Sequence, residues 1–110
     1  MSEEKDVEKI RKLTEKRKSD KVAKYLDKND VEVVKAAITG LGSIQDETSV
    51  NLLSKLIENA NPEIRKAALV AFGNGGTEYA KTLIQHRAVV ESDLQVQEVA
   101  KSILRDYKLK

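Results

Sequence analysis

The sequence contains an internal repeat of about thirty residues, and this repeat limits the folds open to the chain. Residues 30–42 read DVEVVKAAITGLG and residues 61–73 read NPEIRKAALVAFG, so acidic, alanine and glycine positions recur. A weaker third copy follows. The three copies begin at Asp30, Asn61 and Asp93, which are 31 and 32 residues apart. Such a period is typical of proteins that stack one supersecondary unit on the next.

In each copy, the apolar residues have the spacing of one face of a helix. In the second copy, Ile64, Ala67, Ala68 and Phe72 fall at i, i+3, i+4 and i+8. Similar patterns predict seven helices, at 3–17, 19–27, 30–42, 47–59, 61–73, 77–89 and 92–107. Short connections require consecutive helices to run antiparallel. The chain therefore reads as a series of helical hairpins.

Capping residues mark several of the expected helix ends. The expected N-caps are Asp30, Thr48, Asn61 and Ser92, the last in a capping box with Gln95. Pro62 suits the first helical position after Asn61. The expected C-terminal stops are Gly40 and Gly42 for the third helix, and Gly73, Gly75 and Gly76 for the fifth.

The expected core is aliphatic, because the chain has one Phe, three Tyr and no Trp. It combines the aligned positions of the repeats with their partners in the second helices, where Leu83 matches Leu53 after a one-residue adjustment. The expected core residues are Val22, Leu26, Val33, Ala37, Leu41, Leu53, Ile57, Ile64, Ala68, Phe72, Leu83, Val96, Ala100 and Ile103.

The pattern N-P-E-I-R-x-x-A-x-x-A-F-G at 61–73 resembles the first helix of a short HEAT repeat, a form also seen in phycobilisome-lyase-like proteins. The resemblance covers roughly 19–107. It implies an all-α fold, a right-handed α-solenoid of about three and a half antiparallel helical hairpins. The expected hairpins are 3–27, 30–59 and 61–89, followed by a final helix at 92–107, all in a single domain, 1–110.

The residues that usually carry chemistry are scarce. The chain has no cysteine, which excludes disulfides, thiolate zinc sites and a cysteine nucleophile. His86 is the only histidine, and it is expected to be a half-buried or exposed helix residue. The segment GLGSIQ at 40–45 is close to a glycine-rich phosphate loop, but it lies between helices rather than after a strand. We therefore expect no enzyme activity, no metal and no cofactor.

Hydropathy and charge bear on location and partners. No apolar run approaches the roughly 20 residues that cross a bilayer, and MSEEKDVEK lacks the apolar segment of a signal peptide. We expect a cytoplasmic protein, monomeric or weakly oligomeric, without a membrane partner. Seven basic residues against two acidic ones lie between Arg11 and Lys24, so the positive charge is concentrated near the beginning of the sequence.

The resemblance implies that the second helices of the hairpins line a concave surface. The candidate binding face on those helices is Arg17, Lys21, Lys24, Asn51, Lys55, Lys81 and Gln85. HEAT-like units often carry an arginine that bonds along the array at the position of Arg65. Because Val34 and Gln97 occupy the equivalent positions, we expect that ladder to be interrupted.

Three functions remain open from the sequence. The first is a non-catalytic scaffold that binds a protein or peptide partner through the concave surface. The second is binding of nucleic acid or phosphate through the basic stripe on the N-terminal and concave helices. The third, by family analogy, is a lyase or a lyase accessory protein.

Overall fold

The computed structural model describes residues 2–110, which form helices and short connections without a strand. The helices are α1 (Ser2–Glu15), α2 (Ser19–Ala23), α3 (Val31–Ile44), α4 (Glu47–Leu56), α5 (Pro62–Gly73), α6 (Glu78–Val90) and α7 (Leu94–Arg105). A 3-10 segment, Lys24–Asp27, continues α2. The all-α prediction is confirmed, and the second predicted helix is an α-helical turn followed by this 3-10 segment.

The helices form two layers. In the first layer, α3 packs between α1 and α5, and α7 packs on the other side of α5. In the second layer, α4 contacts both α3 and α5, and α6 contacts both α5 and α7. Each hairpin therefore buries its apolar face against its neighbours, as a helical-repeat solenoid requires.

The core is aliphatic and rich in alanine, with Phe72 as its largest buried side chain. Most of the expected core residues are buried, whereas Leu26, Leu83 and Ile103 are half-buried and pack against the core. The position assigned to Leu83 belongs to Ile84, which is fully buried. Ile84 lies 31 residues after Leu53, so the repeat needs no one-residue adjustment in α6.

The helix caps confirm two predictions and correct two others. Asp30 and Asn61 cap α3 and α5, and the side chain of each accepts a bond from a first-turn amide. Thr48 and Ser92 are not N-caps. Asp46 caps α4 and Asp93 caps α7, because a nearby carboxylate is the stronger acceptor for the amides of a helix N-terminus.

Two glycines predicted to end α3 lie inside it. The helix continues to Ile44, and Gln45 is its C-cap, with a left-handed φ of 54°. A Cβ added to Gly42 would lie 2.7 Å from the Cβ of Ala71 on α5. Close packing of α3 on α5, rather than helix termination, therefore requires glycine at this position. In contrast, α5 ends at Gly73 as predicted, and Gly76 takes a φ of 63° in the following turn.

Candidate functional site

The two layers differ in how closely their helices approach one another. A Cβ on Gly40 would meet the side chain of Thr14 on α1, and one on Gly73 would lie 2.9 Å from Ile103 Cγ2 on α7. The first layer is thus tightly packed, whereas α2 and α4 contact each other over a short stretch. In a curved array, the more closely spaced helices line the inner side. For this closer spacing we call α1, α3, α5 and α7 the inner layer; that the second helices line a concave surface stays a prediction.

The exposed face of this first layer, here called the inner surface, has an open cavity towards each end. The cavity between α1 and α3 has a volume of about 330 Å³, and its lining includes Val7, Ala36 and Thr39. The cavity beside α5 and α7 has a volume of about 270 Å³, and its lining includes Val70 and Ile103. Val7 is 39% exposed and Val70 is 50% exposed. The inner surface thus offers apolar contacts to a partner.

Paired charges connect the N-terminal ends of the inner-layer helices. Lys35 of α3 lies 3.9 Å from Glu63 of α5, and Lys66 lies 2.7 Å from the same carboxylate. Lys66 also donates to Gln95 of α7 over 3.4 Å. The hydrogen bond from Lys66 and its charge lower the pKa of Glu63. The apolar part of the inner surface therefore has a polar rim at this end.

The seven residues of the predicted binding face lie in the second layer or next to it. Lys21 and Lys24 are exposed in α2 and the 3-10 segment, and Arg17 lies in the turn before α2. On α4 and α6, Asn51, Lys55 and Gln85 are exposed and Lys81 is half-buried. That these residues form one binding face stays a prediction.

Arg17 has a structural contact that the sequence did not indicate. Its backbone is left-handed, with a φ of 57°, and its Nη2 donates to the carbonyl oxygen of Ile44 over 2.7 Å. One hairpin further along, left-handed Gln45 donates through Nε2 to the carbonyl oxygen of Ala71 over 2.9 Å. Each turn thus ties its hairpin to the C-terminal end of the next inner helix.

Lys21 and Lys24 belong to a compact basic cluster. With Lys9 and Lys28 they line a cavity of about 450 Å³ between α1, α2 and the 3-10 segment. Lys55 and Lys81 do not line this cavity. Sequence reasoning did not single out Lys9 and Lys28, because spacing alone does not show how α1 lies against the 3-10 segment.

Glu91, at the end of α6, is the centre of a buried charge network. Its side chain has no exposed area, and its carboxylate receives two bonds from Arg65, of 2.9 and 2.8 Å. Arg87 Nε donates to it over 3.2 Å, and the amide of Asp93 donates over 3.0 Å. Burial raises the pKa of Glu91, but these hydrogen bonds and the two arginine charges lower it by more, so its pKa lies below the ordinary value.

Arg65, where a ladder along the array is expected to be interrupted, belongs to this network. Its guanidinium bonds across the hairpin to Glu91 and also to the carbonyl oxygen of Asn59, over 2.8 Å. At the equivalent positions, Val34 is buried and Gln97 donates to the carbonyl oxygen of Ala88 over 3.1 Å. The connection at Arg65 therefore forms, although the neighbouring repeats make different ones. The one carboxylate of Glu91 contacts both guanidinium groups, which favours a structural role for the network.

Other chemical sites are scarce in the part of the chain that the structure describes. His86 is exposed on α6, as expected. Among residues 2–110, no group of three or more His, Asp or Glu side chains is placed to hold a metal ion. No helix in this range is long and apolar enough to cross a membrane.

Comparison with known proteins agrees with the hairpin architecture. The family model for HEAT repeats matches residues 19–105, from the start of α2 to the end of α7. Neither the curated proteins nor the solved structures gave a match. Since the matched segment covers most of the sequence, the chain belongs to the HEAT repeat family.

Proposed function

We propose that the chain is a non-catalytic scaffold that binds a segment of a partner protein along its inner surface. HEAT repeats are generally protein-interaction scaffolds, which supports the first part of the proposal. The observation that supports the surface is the pair of partly apolar cavities on the tightly packed inner layer, with exposed Val7 and Val70 towards opposite ends. We also keep a cytoplasmic location as part of this proposal.

The dimensions of the inner surface fit a short extended segment. Four neighbouring helices at about 8–10 Å spacing present a surface about 30 Å wide. An extended chain rises about 3.3 Å per residue, so about nine residues cross it. Two apolar side chains could enter the cavities, while polar groups pair with the charged rim formed by Lys35, Glu63 and Lys66.

Binding of nucleic acid along the second layer is the weaker alternative. Lys21 and Lys24 belong to a basic cluster, whereas further along the second layer Lys55 and Lys81 are accompanied by uncharged Asn51 and Gln85. Exposed Asp20, Asp27 and Glu58 reduce the positive charge of this side further. A role as a lyase or lyase accessory protein has no support beyond family analogy.

A selection of displayed peptides tests the scaffold proposal. We expect the wild-type protein to enrich short peptides with two apolar residues. The Val70→Glu variant should bind these peptides at least about tenfold more weakly, which corresponds to about 1.4 kcal/mol. Val89→Glu is the matched control, because Val89 is 79% exposed on α6, in the other layer.

Two results would count against the proposal. One is the absence of any enriched peptide. The other is an equal loss of affinity in the Val70→Glu and Val89→Glu variants, measured by fluorescence polarisation on folded proteins. The second result would show that peptides bind the protein but not specifically at the inner surface.

A further inference from the structure

We propose that the cavity lined by Lys9, Lys21, Lys24 and Lys28, here called the four-lysine cavity, binds a compact polyphosphate. It lies between α1, α2 and the 3-10 segment, away from the cavities of the inner surface. Its volume of about 450 Å³ is within the usual range of small-molecule sites. This site is independent of the proposed scaffold function.

The charges around the four-lysine cavity are unbalanced. Four lysines line it, and Asp6 is the one acidic residue in its lining. None of the four lysines forms an ion pair within residues 2–110. The carboxylates of Glu8 and Glu15, on the same helix as Lys9, pair with Arg11 at 2.7 Å each. The cavity therefore has an excess of positive charge that a bound anion would balance.

Repulsion among these ammonium groups favours a ligand with several negative charges. Like charges that share a cavity repel each other, and the surrounding protein screens them less than bulk water does. A multivalent anion would remove this repulsion and accept several charge-assisted hydrogen bonds, which are the stronger class. A single phosphate could satisfy only part of the lysines, so two or three linked phosphates fit better.

The positive region is too short for a nucleic-acid strand. Asp20 and Asp27 are exposed next to Lys21 and Lys28 in the sequence and do not line the cavity. A polymer that extends beyond the four-lysine cavity would meet these carboxylates, whereas a compact ligand would not. We therefore favour a small polyphosphate over an oligonucleotide.

The lining also has an apolar side. Leu13 and Tyr25 contribute to it, both half-buried and packed against the core. Lys28 Nζ lies 5.9 Å from the centre of the Tyr25 ring, so that side chain is oriented over the aromatic face. An organic group attached to the phosphates could contact Leu13 and Tyr25. Free tripolyphosphate and a nucleoside triphosphate share the chemistry that the lysines recognise.

Isothermal titration with tripolyphosphate, ATP, inorganic phosphate and a short oligothymidylate tests this proposal. We expect both triphosphates to bind more tightly than inorganic phosphate and the oligonucleotide, and to raise the melting temperature of the protein by linkage. A Lys21→Gln/Lys24→Gln variant should lose at least about tenfold in affinity. Lys55→Gln/Lys81→Gln is the matched control, because it removes the same charge outside the cavity.

The outcomes separate the possible sources of the ligand. Tighter binding of ATP than of tripolyphosphate would support a nucleotide, and equal binding would support a polyphosphate without an organic group. The proposal is overturned if neither triphosphate binds, if both double variants lose affinity equally, or if the oligonucleotide binds most tightly. We expect each variant to fold, because all four substitutions are at exposed or half-buried positions. Circular dichroism checks this.

Discussion

Glu91 has a buried carboxylate, and Arg65, Arg87 and the amide of Asp93 surround it with hydrogen bonds. These bonds connect the end of α6 and the start of α7 to α5. The arginine at 65 also holds the loop before α5 through the carbonyl oxygen of Asn59. This network joins α5 to the end of α6 and to the connection that leads into α7.

Removing Arg65 should be costly. In an Arg65→Ala variant, the buried carboxylate of Glu91 keeps only Arg87 and the amide of Asp93 as partners. Removing one partner of a buried ion pair costs about 3–5 kcal/mol. Because Arg87 remains, we expect a loss near the lower limit, measured by urea unfolding. Arg11→Ala is the control, since its pairs with Glu8 and Glu15 are exposed and should contribute little. Equal losses in the two variants would contradict the structural role of the network.

The same network should make the stability depend on acid pH. The pKa of Glu91 is lowered in the folded state, so the unfolded state binds more protons in the acid range. The stabilising contribution is therefore complete above the ordinary glutamate range and is lost as the pH falls through the folded-state pKa. We expect the stability difference between wild type and Glu91→Gln to shrink from pH 7 to pH 3. A constant difference, measured by denaturant unfolding at both values, would contradict this prediction.

At the scale of helices, the close approach of α3 and α5 depends on Gly42. Alanine is a better helix former than glycine by about 1 kcal/mol. However, its Cβ at this position would lie 2.7 Å from Ala71 Cβ and 3.0 Å from Ala71 Cα, so the helices would have to separate. We expect Gly42→Ala to destabilise the fold by about 1–3 kcal/mol, measured by thermal unfolding.

A control for this substitution lies on the same helix. Thr39 is exposed on α3, so Thr39→Ala gains helix propensity without a clash and should be neutral or slightly stabilising. If Gly42→Ala were as stable as Thr39→Ala, glycine would not be needed for the packing of α3 on α5.

Helix spacing and caps could be predicted from the sequence where a local pattern determines them. The stripe of Ile64, Ala68 and Phe72 and the cap at Asn61 are local, and the structure confirms them. The prediction that Gly42 ends α3 is wrong because its neighbour Ala71 lies on another helix, although a glycine inside a helical pattern is a sign of close packing. The partner of Arg65 is 26 residues away, which no helical period indicates.

The four-lysine cavity and the inner surface could not be predicted from the sequence, because both depend on contacts between helices that are distant in the sequence. Lys21 and Lys24 lie near each other along the chain, but their grouping with Lys9 depends on the packing of α1. The assignment of an inner layer depends on helix spacing, which is a property of the whole array. Sequence patterns identify the faces of each helix but do not show how closely the helices of each layer approach one another.

For the molecule as a whole, stability depends on stacked hairpins, and so does the binding that we propose. The inner helices are tied at one end by Arg17 and Gln45, and the hairpin of α5 and α6 is connected to α7 by Glu91. These contacts hold neighbouring helices in register, which would preorganise the inner surface for the partner segment that we propose. Preorganisation reduces the entropy lost on binding.

Site-specific photocrosslinking tests most directly whether a partner binds the inner surface. A benzophenone amino acid would replace Thr39, which is exposed on the inner layer, or Gln85, which is exposed on α6. With a selected peptide, we expect a crosslinked product from the position of Thr39 and none from that of Gln85. Crosslinking from the position of Gln85 but not from that of Thr39 would contradict binding at the inner surface and place the partner on the other layer.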